Sequence, residues 1–165
     1  MTSASDELSR EIAALLPRLR RFGRALTRHR EDADDLAQVA VERALQRTHQ
    51  FERGTRLDSW LFRIMQNAWI DELRARSRRG ETSIDEAELE QLPASGTPDD
   101  ALAVRRAVER LHDDHRAAVA LVLIEGLSYQ EAAGVLGVPI GTLTSRLARA
   151  REALQAMLEP TMEAR

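Results

Sequence analysis

The stretch Ser128-Tyr129-Gln130-Glu131-Ala132-Ala133-Gly134-Val135-Leu136-Gly137-Val138-Pro139-Ile140-Gly141-Thr142-Leu143-Thr144-Ser145-Arg146-Leu147 decides how this chain is read. Ser128 with Glu131 three residues on is a capping box, which starts a short helix. Ala132 is small enough to let a second helix approach closely. Gly137 supplies the left-handed backbone that ends the first helix in a tight turn. Val138 and Leu143 plug the corner. Thr142 opens a longer helix whose outer face carries Thr144, Ser145, Arg146, Arg149 and Arg151. A short helix, a tight turn and a longer helix with a polar, basic face is the arrangement that lays one helix in a DNA major groove. A simpler account is an αα-hairpin with a solvated arginine face. Capping boxes and glycine turns are common there, but the whole set of cap, small residue, turn glycine, plug and Thr/Ser/Arg surface favours DNA.

Outward from this motif, the periodicity is helical throughout and strand signals are scarce. The C-terminal part predicts helices over about 98–111, 113–125, 128–136 and 141–158, with Asp113 or Asp114 capping the second. Upstream, Gly80–Asp100 holds seven acidic residues and no basic one, with Pro93, Gly96 and Pro98. It reads as a solvated linker with one helical turn near Glu86–Gln91. In the N-terminal part Ile12, Leu15, Leu16, Leu19, Phe22 and Leu26 share one face. Pro17 either sits in a first turn or kinks that helix. A second helix runs from about Glu31 to Gln46, with Leu36, Val39, Ala40, Arg43 and Ala44 on related faces. A third starts at Asp58 as N-cap and runs to about Arg79, after a loop at Phe51–Leu57. The expected fold is all-α: two small helical domains, 1–79 and 101–165, joined by an acidic flexible linker, 80–100, each domain too small to bury a large core alone.

The charge follows the same division. The chain of 165 residues carries a net charge of -3, which on its own argues against a nucleic-acid partner. Residues 1–79 carry +4, residues 80–100 carry -7 and residues 101–165 are neutral, so the average conceals a basic first domain. There is no cysteine, which excludes disulfides, zinc fingers, iron–sulfur clusters and thiol catalysis. All 24 basic residues are arginine, as a GC-rich coding sequence would produce, and no function is read from that. The longest apolar run, Ala117–Ile124, is far short of a membrane span, so membrane insertion is not expected and a cytoplasmic location is.

On the helix 58–79, Arg63, Asn67, Asp71, Arg74 and Arg78 fall within about 80° of one another at about 100° per residue. Leu61, Ile64, Met65 and Ala68 take the other side. Guanidinium and amide groups on one face suit phosphates and base edges, and an Asp71–Arg74 pair on a solvated helix is the simpler account. Trp60 and Trp69 are candidates to stack on unpaired bases, with core packing expected for at least one.

Taken together, these segments resemble a bacterial RNA polymerase sigma factor of the extracytoplasmic-function type (sigma-70 family, group 4), from about Leu15 to Leu158. Asp32-Ala33-Asp34-Asp35-Leu36-Ala37-Gln38 with Glu42-Arg43-Ala44 resembles its acidic segment. Trp60-Leu61-Phe62-Arg63-Ile64 with Asn67, Asp71 and Arg74 resembles its minus-10 helix. Glu125-Gly126-Leu127-Ser128-Tyr129-Gln130-Glu131-Ala132-Ala133, then Gly141-Thr142-Leu143 and Ser145-Arg146-Leu147-Ala148-Arg149, resembles its minus-35 reader.

The resemblance implies that Asp32, Asp35, Leu36, Gln38 and Glu42 dock on the β′ clamp helices of core polymerase, with the β flap a further contact of the enzyme. It implies that Trp60, Arg63, Asn67, Asp71, Arg74 and Arg78, with the loop Gln50–Ser59, meet the minus-10 element and capture flipped bases. It assigns Ser128, Tyr129, Gln130, Thr142, Thr144, Ser145, Arg146 and Arg149 to the minus-35 duplex. It further implies control by an anti-sigma partner, and a linker that is either a nucleic-acid mimic or a spacer. The family often has Lys or Arg at Thr144, usually Val at Ala37, and a proline at His112, so base preference at minus-35 is open.

No cofactor or metal is expected. His112 and His115 beside Asp113 and Asp114 are better explained by a helix boundary than by a metal, and no phosphate loop, dinucleotide fingerprint or nucleophile elbow is present, so an enzyme is not expected. The helix-turn-helix would also suit a regulator that binds palindromic duplex without polymerase, and an all-helical chain would suit a protein-binding adaptor. The adaptor leaves the Arg146, Arg149 and Arg151 face unexplained.

Overall fold

The computed structural model describes residues 3–81 and 100–159, and the regular elements among them are all helical. Helix α1 spans Ala4–Ala14, α2 Leu16–Thr27, α3 Arg30–Gln46 and α4 Leu57–Arg78, with a 3-10 turn Thr48–Gln50 before the loop into α4. Helix α5 spans Asp100–Glu109, α6 Asp113–Val119, α7 Tyr129–Leu136 and α8 Ile140–Leu158, and a π-helical turn, Ala120–Ile124, extends α6. The helical turn expected near Glu86–Gln91 lies outside the described residues.

Pro17 stands in the first turn of α2, where its missing N–H has no partner to lose, and Leu15 separates α2 from α1. Helix α3 buries Ala33, Ala37, Ala40 and Ala44, a stripe small enough for α2 and α4 to lie close on either side. Gly23 marks the tightest approach: a Cβ there would meet Met65 Cε at 2.8 Å and the Ala33 carbonyl oxygen at 3.0 Å. Helix α4 closes with Gly80 at φ 73°, where the Glu81 N–H reaches the Arg76 carbonyl at 3.0 Å and the Gly80 N–H that of Ser77 at 3.1 Å.

Two expected caps differ. Asp58 lies inside α4, after Arg56 at the N-cap, because its carboxylate is held by Arg18 and Arg56. The cap of α6 is His112, whose Nδ1 accepts the Asp114 N–H at 3.3 Å, so Asp113 and Asp114 are free for other partners. The capping box forms as the sequence predicts: Ser128 Oγ accepts from the Glu131 N–H and Glu131 Oε1 from the Ser128 N–H, both at 3.1 Å. Gly137 ends α7 at φ 65°, and Leu143 is fully buried in the corner with Val138 half-buried beside it.

The two halves do not keep separate cores. The buried apolar side chains form one cluster from Leu8 to Ala150. Helix α2 packs on α6, and α4 packs on α7. Neither half alone buries much surface, and their contact enlarges the shared interior.

Candidate nucleic-acid interface

On α4, Arg63, Asn67, Arg74 and Arg78 are exposed along one face while Leu61, Ile64, Met65 and Ala68 are buried on the other. Asp71 shares the exposed face, but its partner is Arg43 of α3 at 3.1 Å rather than Arg74. The tryptophans divide. Trp69 is buried, with the Arg76 guanidinium 5.3 Å from its ring centre. Trp60 is half-buried at the helix start, 5.2 Å from the Phe51 ring. Trp60 therefore keeps an accessible side, and Trp69 is a core residue.

On α8, Thr144, Ser145 and Arg149 are exposed and Thr142 is half-buried in the first turn. Thr144 Oγ1 donates back to the Ile140 carbonyl at 2.9 Å. Arg146 lies 3.6 Å from Asp114, and Arg151 donates to the Tyr129 hydroxyl at 3.3 Å. Gln130 is exposed, and Ser128 is occupied by its cap. No side chain caps α8, and in its first turn the Thr142 and Leu143 N–H groups bond the Pro139 carbonyl at 3.0 and 3.2 Å.

On α3, Asp35, Gln38 and Glu42 are exposed on one face, and Asp32 beside them reaches Arg76 at 3.5 Å. Leu36 is only 7% exposed and belongs to the core, so it supports this surface from behind. Val39, which the sequence set on a face related to those of Leu36, Ala40, Arg43 and Ala44, is 37% exposed and supplies the apolar element of the face.

A polar seam joins the two halves, and sequence reasoning missed it. The Glu125 side chain is inaccessible to solvent and accepts from Arg18 Nε at 2.8 Å and from Arg21 Nε and Nη2 at 2.6 and 2.9 Å. Arg116, 1% exposed, reaches the other way and donates to the Ala25 and Leu26 carbonyls at the end of α2, to the Leu111 carbonyl and to Asp113. Arg28, in the left-handed region at φ 65°, donates to the Leu111 carbonyl at 3.0 Å and to Asp113 at 2.9 Å. Glu131 of the capping box takes Arg56 at 2.9 Å and the Ser59 hydroxyl at 3.3 Å. The loop before α4 is thus tied to the start of the helix-turn-helix. The one available signal was Arg116 directly before the apolar run from Ala117.

These contacts set the charges. Burial pushes the Asp58 carboxyl up, but hydrogen bonds from Arg56, Arg18 and the Ser59 N–H outweigh it and hold the group below the usual carboxylate range. Burial likewise pushes the Asp113 carboxyl up, but Arg116, with help from Arg28, outweighs it and holds the group below the usual carboxylate range. The Ser128 hydroxyl, against weaker burial, holds Glu131 down with help from Arg56. Burial lowers His115, and the neighbouring His112 and Arg149 add to it.

Residues 12–66 match the family described as the Sigma2 domain of PhyR, and residues 101–154 match Sigma-70, region 4. Over 156 residues the chain is 35% identical to the ECF RNA polymerase sigma factor EcfG of Rhodopseudomonas palustris (strain TIE-1), covering 93% of this chain and 86% of that protein. The chain belongs to the ECF RNA polymerase sigma factors. This sigma factor is also 39% identical over 140 residues to SigM of Mycobacterium tuberculosis, covering 85% of the chain and 71% of the relative. Among solved structures it is similar to the sigma factor RpoE of Bartonella quintana in complex with the anti-sigma factor NepR, with TM-score 0.77 and 32% identity over 94% of this chain and 98% of that one. It is similar as well to PhyRSL in its complex with NepR from Sphingomonas sp. Fr1, with TM-score 0.65 and 27% identity over 96% of this chain and 95% of that one. This sigma factor is an all-α, two-domain protein of transcription initiation and not an enzyme. No helix among the described residues is long and apolar enough to cross a membrane.

Proposed function

We propose that this sigma factor docks on core RNA polymerase through the exposed face of α3, brings α4 to the minus-10 element and lays α8 in the minus-35 duplex. The division is 1–79 for polymerase and minus-10, 80–100 as acidic linker and 101–165 for minus-35. The observation that carries the reading is the pair of exposed polar faces: Arg63, Asn67, Arg74 and Arg78 on α4, and Thr144, Ser145 and Arg149 on α8. Acidic Asp32, Asp35 and Glu42 with Gln38 around Val39 suit a basic helical partner such as the β′ clamp helices. Trp60, Asn67 and the loop before α4 would receive bases that leave the stack. The side chains of Thr142, Ser145, Arg146 and Arg149 would read or anchor the minus-35 site, with Tyr129 and Gln130 beside its backbone.

The two halves are closed on each other, with Arg56 and Ser59 held by Glu131. Promoter opening needs that loop free, so the polymerase-bound form is the open one. An anti-sigma partner would stabilise the closed form, and its binding should protect both α4 and α8 from hydrogen exchange. Gel filtration with core polymerase, followed by runoff transcription on a genomic fragment library, tests the whole reading. A polymerase complex and discrete promoter starts are expected, and failure to bind core polymerase overturns it.

A further inference from the structure

Pro17, Arg20, Arg21, Arg24 and Arg30 line an open cleft of about 380 Å3 on the outer side of α2. The first four stand at i, i+3, i+4 and i+7 and so share one helix face, and Arg30 arrives from the first residue of α3. None of the five lies on the faces that meet polymerase or promoter. Arg20 faces Asp34 at 3.6 Å, a long contact between two half-exposed side chains. Arg21 is engaged by Glu125. Arg24 and Arg30 are exposed and make no ion pair among the described residues. Any single exposed arginine is explained by solvation. Like charges three and four apart on a helix repel, however, so the set is not assembled for helix stability. Arg24 and Arg30, with Arg20 held only by its long contact and Pro17 as a wall, fit an anion that carries several charges along its length.

We propose that this cleft binds a run of closely spaced phosphates. The planar guanidinium fork matches pairs of phosphate oxygens. Arg20 and Arg24 are four residues apart, about 6 Å along the axis, which suits neighbouring phosphates on a strand or alternate phosphates of a polyphosphate chain. Acidic side chains of a peptide would instead each lose rotamer freedom on a separate stem. The phosphate run belongs either to a free polyphosphate compound or to a nucleic-acid backbone, and both offer the same oxygens.

Calorimetric titration of the full chain with sodium tripolyphosphate, at about 0.1 M salt, tests this. One-to-one binding is expected, weakened about tenfold or more in R24A/R30A with unchanged circular dichroism. Should that pair of alanines unfold the chain, R24Q/R30Q reads the same property. A parallel titration uses a single-stranded oligothymidylate. If its affinity falls in the same variant, the natural source is a strand backbone, and if only tripolyphosphate responds, it is a free polyphosphate. Absence of tripolyphosphate binding, equal binding by the variant, or arginine-dependent binding of oligoglutamate without any binding of phosphates overturns the proposal.

Discussion

Glu125 holds two guanidiniums of the other half with a carboxylate that solvent does not reach. Removing one partner of a buried ion pair costs about 3–5 kcal/mol, but Arg18 and Arg21 are 28% and 52% exposed, which screens the loss. Glu125→Ala should therefore lower stability by only about 1–2 kcal/mol in urea unfolding while enlarging the radius of gyration in small-angle scattering. An unchanged radius would show that the seam does not hold the halves together. The pH dependence follows from the displaced groups. Asp58, Asp113 and Glu131 start from ordinary values of 3.8, 3.8 and 4.5 and are lower in the folded chain. Their contribution is complete above those ordinary values and disappears as the pH falls through the lower folded ones. His115, lowered from 6.5, also binds its proton more readily unfolded. Urea stability should thus decline gently from about pH 6.5 and steeply below about pH 4.5. At this scale the resemblance put Leu36 on the docking surface and gave Val39 no role there, whereas the structure buries Leu36 and exposes Val39. They flank the alanine stripe of α3 on adjoining angles, and only the placement of α2 and α4 turns one inward and the other out.

Helices and turns were far more legible. Capping box and turn glycine are local chemistry, so α7 and the turn after it follow from the residues themselves, while Pro17 left a first turn or a kink open and the structure shows the first turn of α2. The π-helical turn was not legible, because a 3.6-residue pattern over 113–125 looks unbroken. There the Glu125 N–H bonds to the Ala120 carbonyl five residues back at 2.8 Å, and the widened turn delivers Glu125 to the seam. The glycines give element-scale tests. A Cβ at Gly137 meets open space but sits at φ 65°, so Gly137→Ala should cost about 1–2 kcal/mol through the backbone alone. Gly23→Ala gains helix propensity of about 1 kcal/mol yet collides with the Ala33 backbone, and overpacking should win by about 1–2 kcal/mol. Ser128→Ala removes the cap of α7 at a cost of about 1 kcal/mol. Urea midpoints check all three.

Over the whole molecule, the two-domain plan was legible from the charge change at residues 80 and 100, while the contacts that close the halves were not. Contacts between residues a hundred positions apart, such as Arg18 with Glu125, leave no local periodicity. The absence of cysteine makes the closure directly measurable. Dyes on Gln46→Cys and Glu152→Cys, both exposed, should move apart when core polymerase is added. A constant distance would mean that polymerase accepts the closed form. The seam has one more consequence. All its cations are arginines, and a guanidinium holds its proton far more firmly than an amine, although burial lowers that of Arg116. Reagents that acylate side-chain amines therefore find no target there. The fastening is undone by protons or by a competing anion far more readily than by mild alkali.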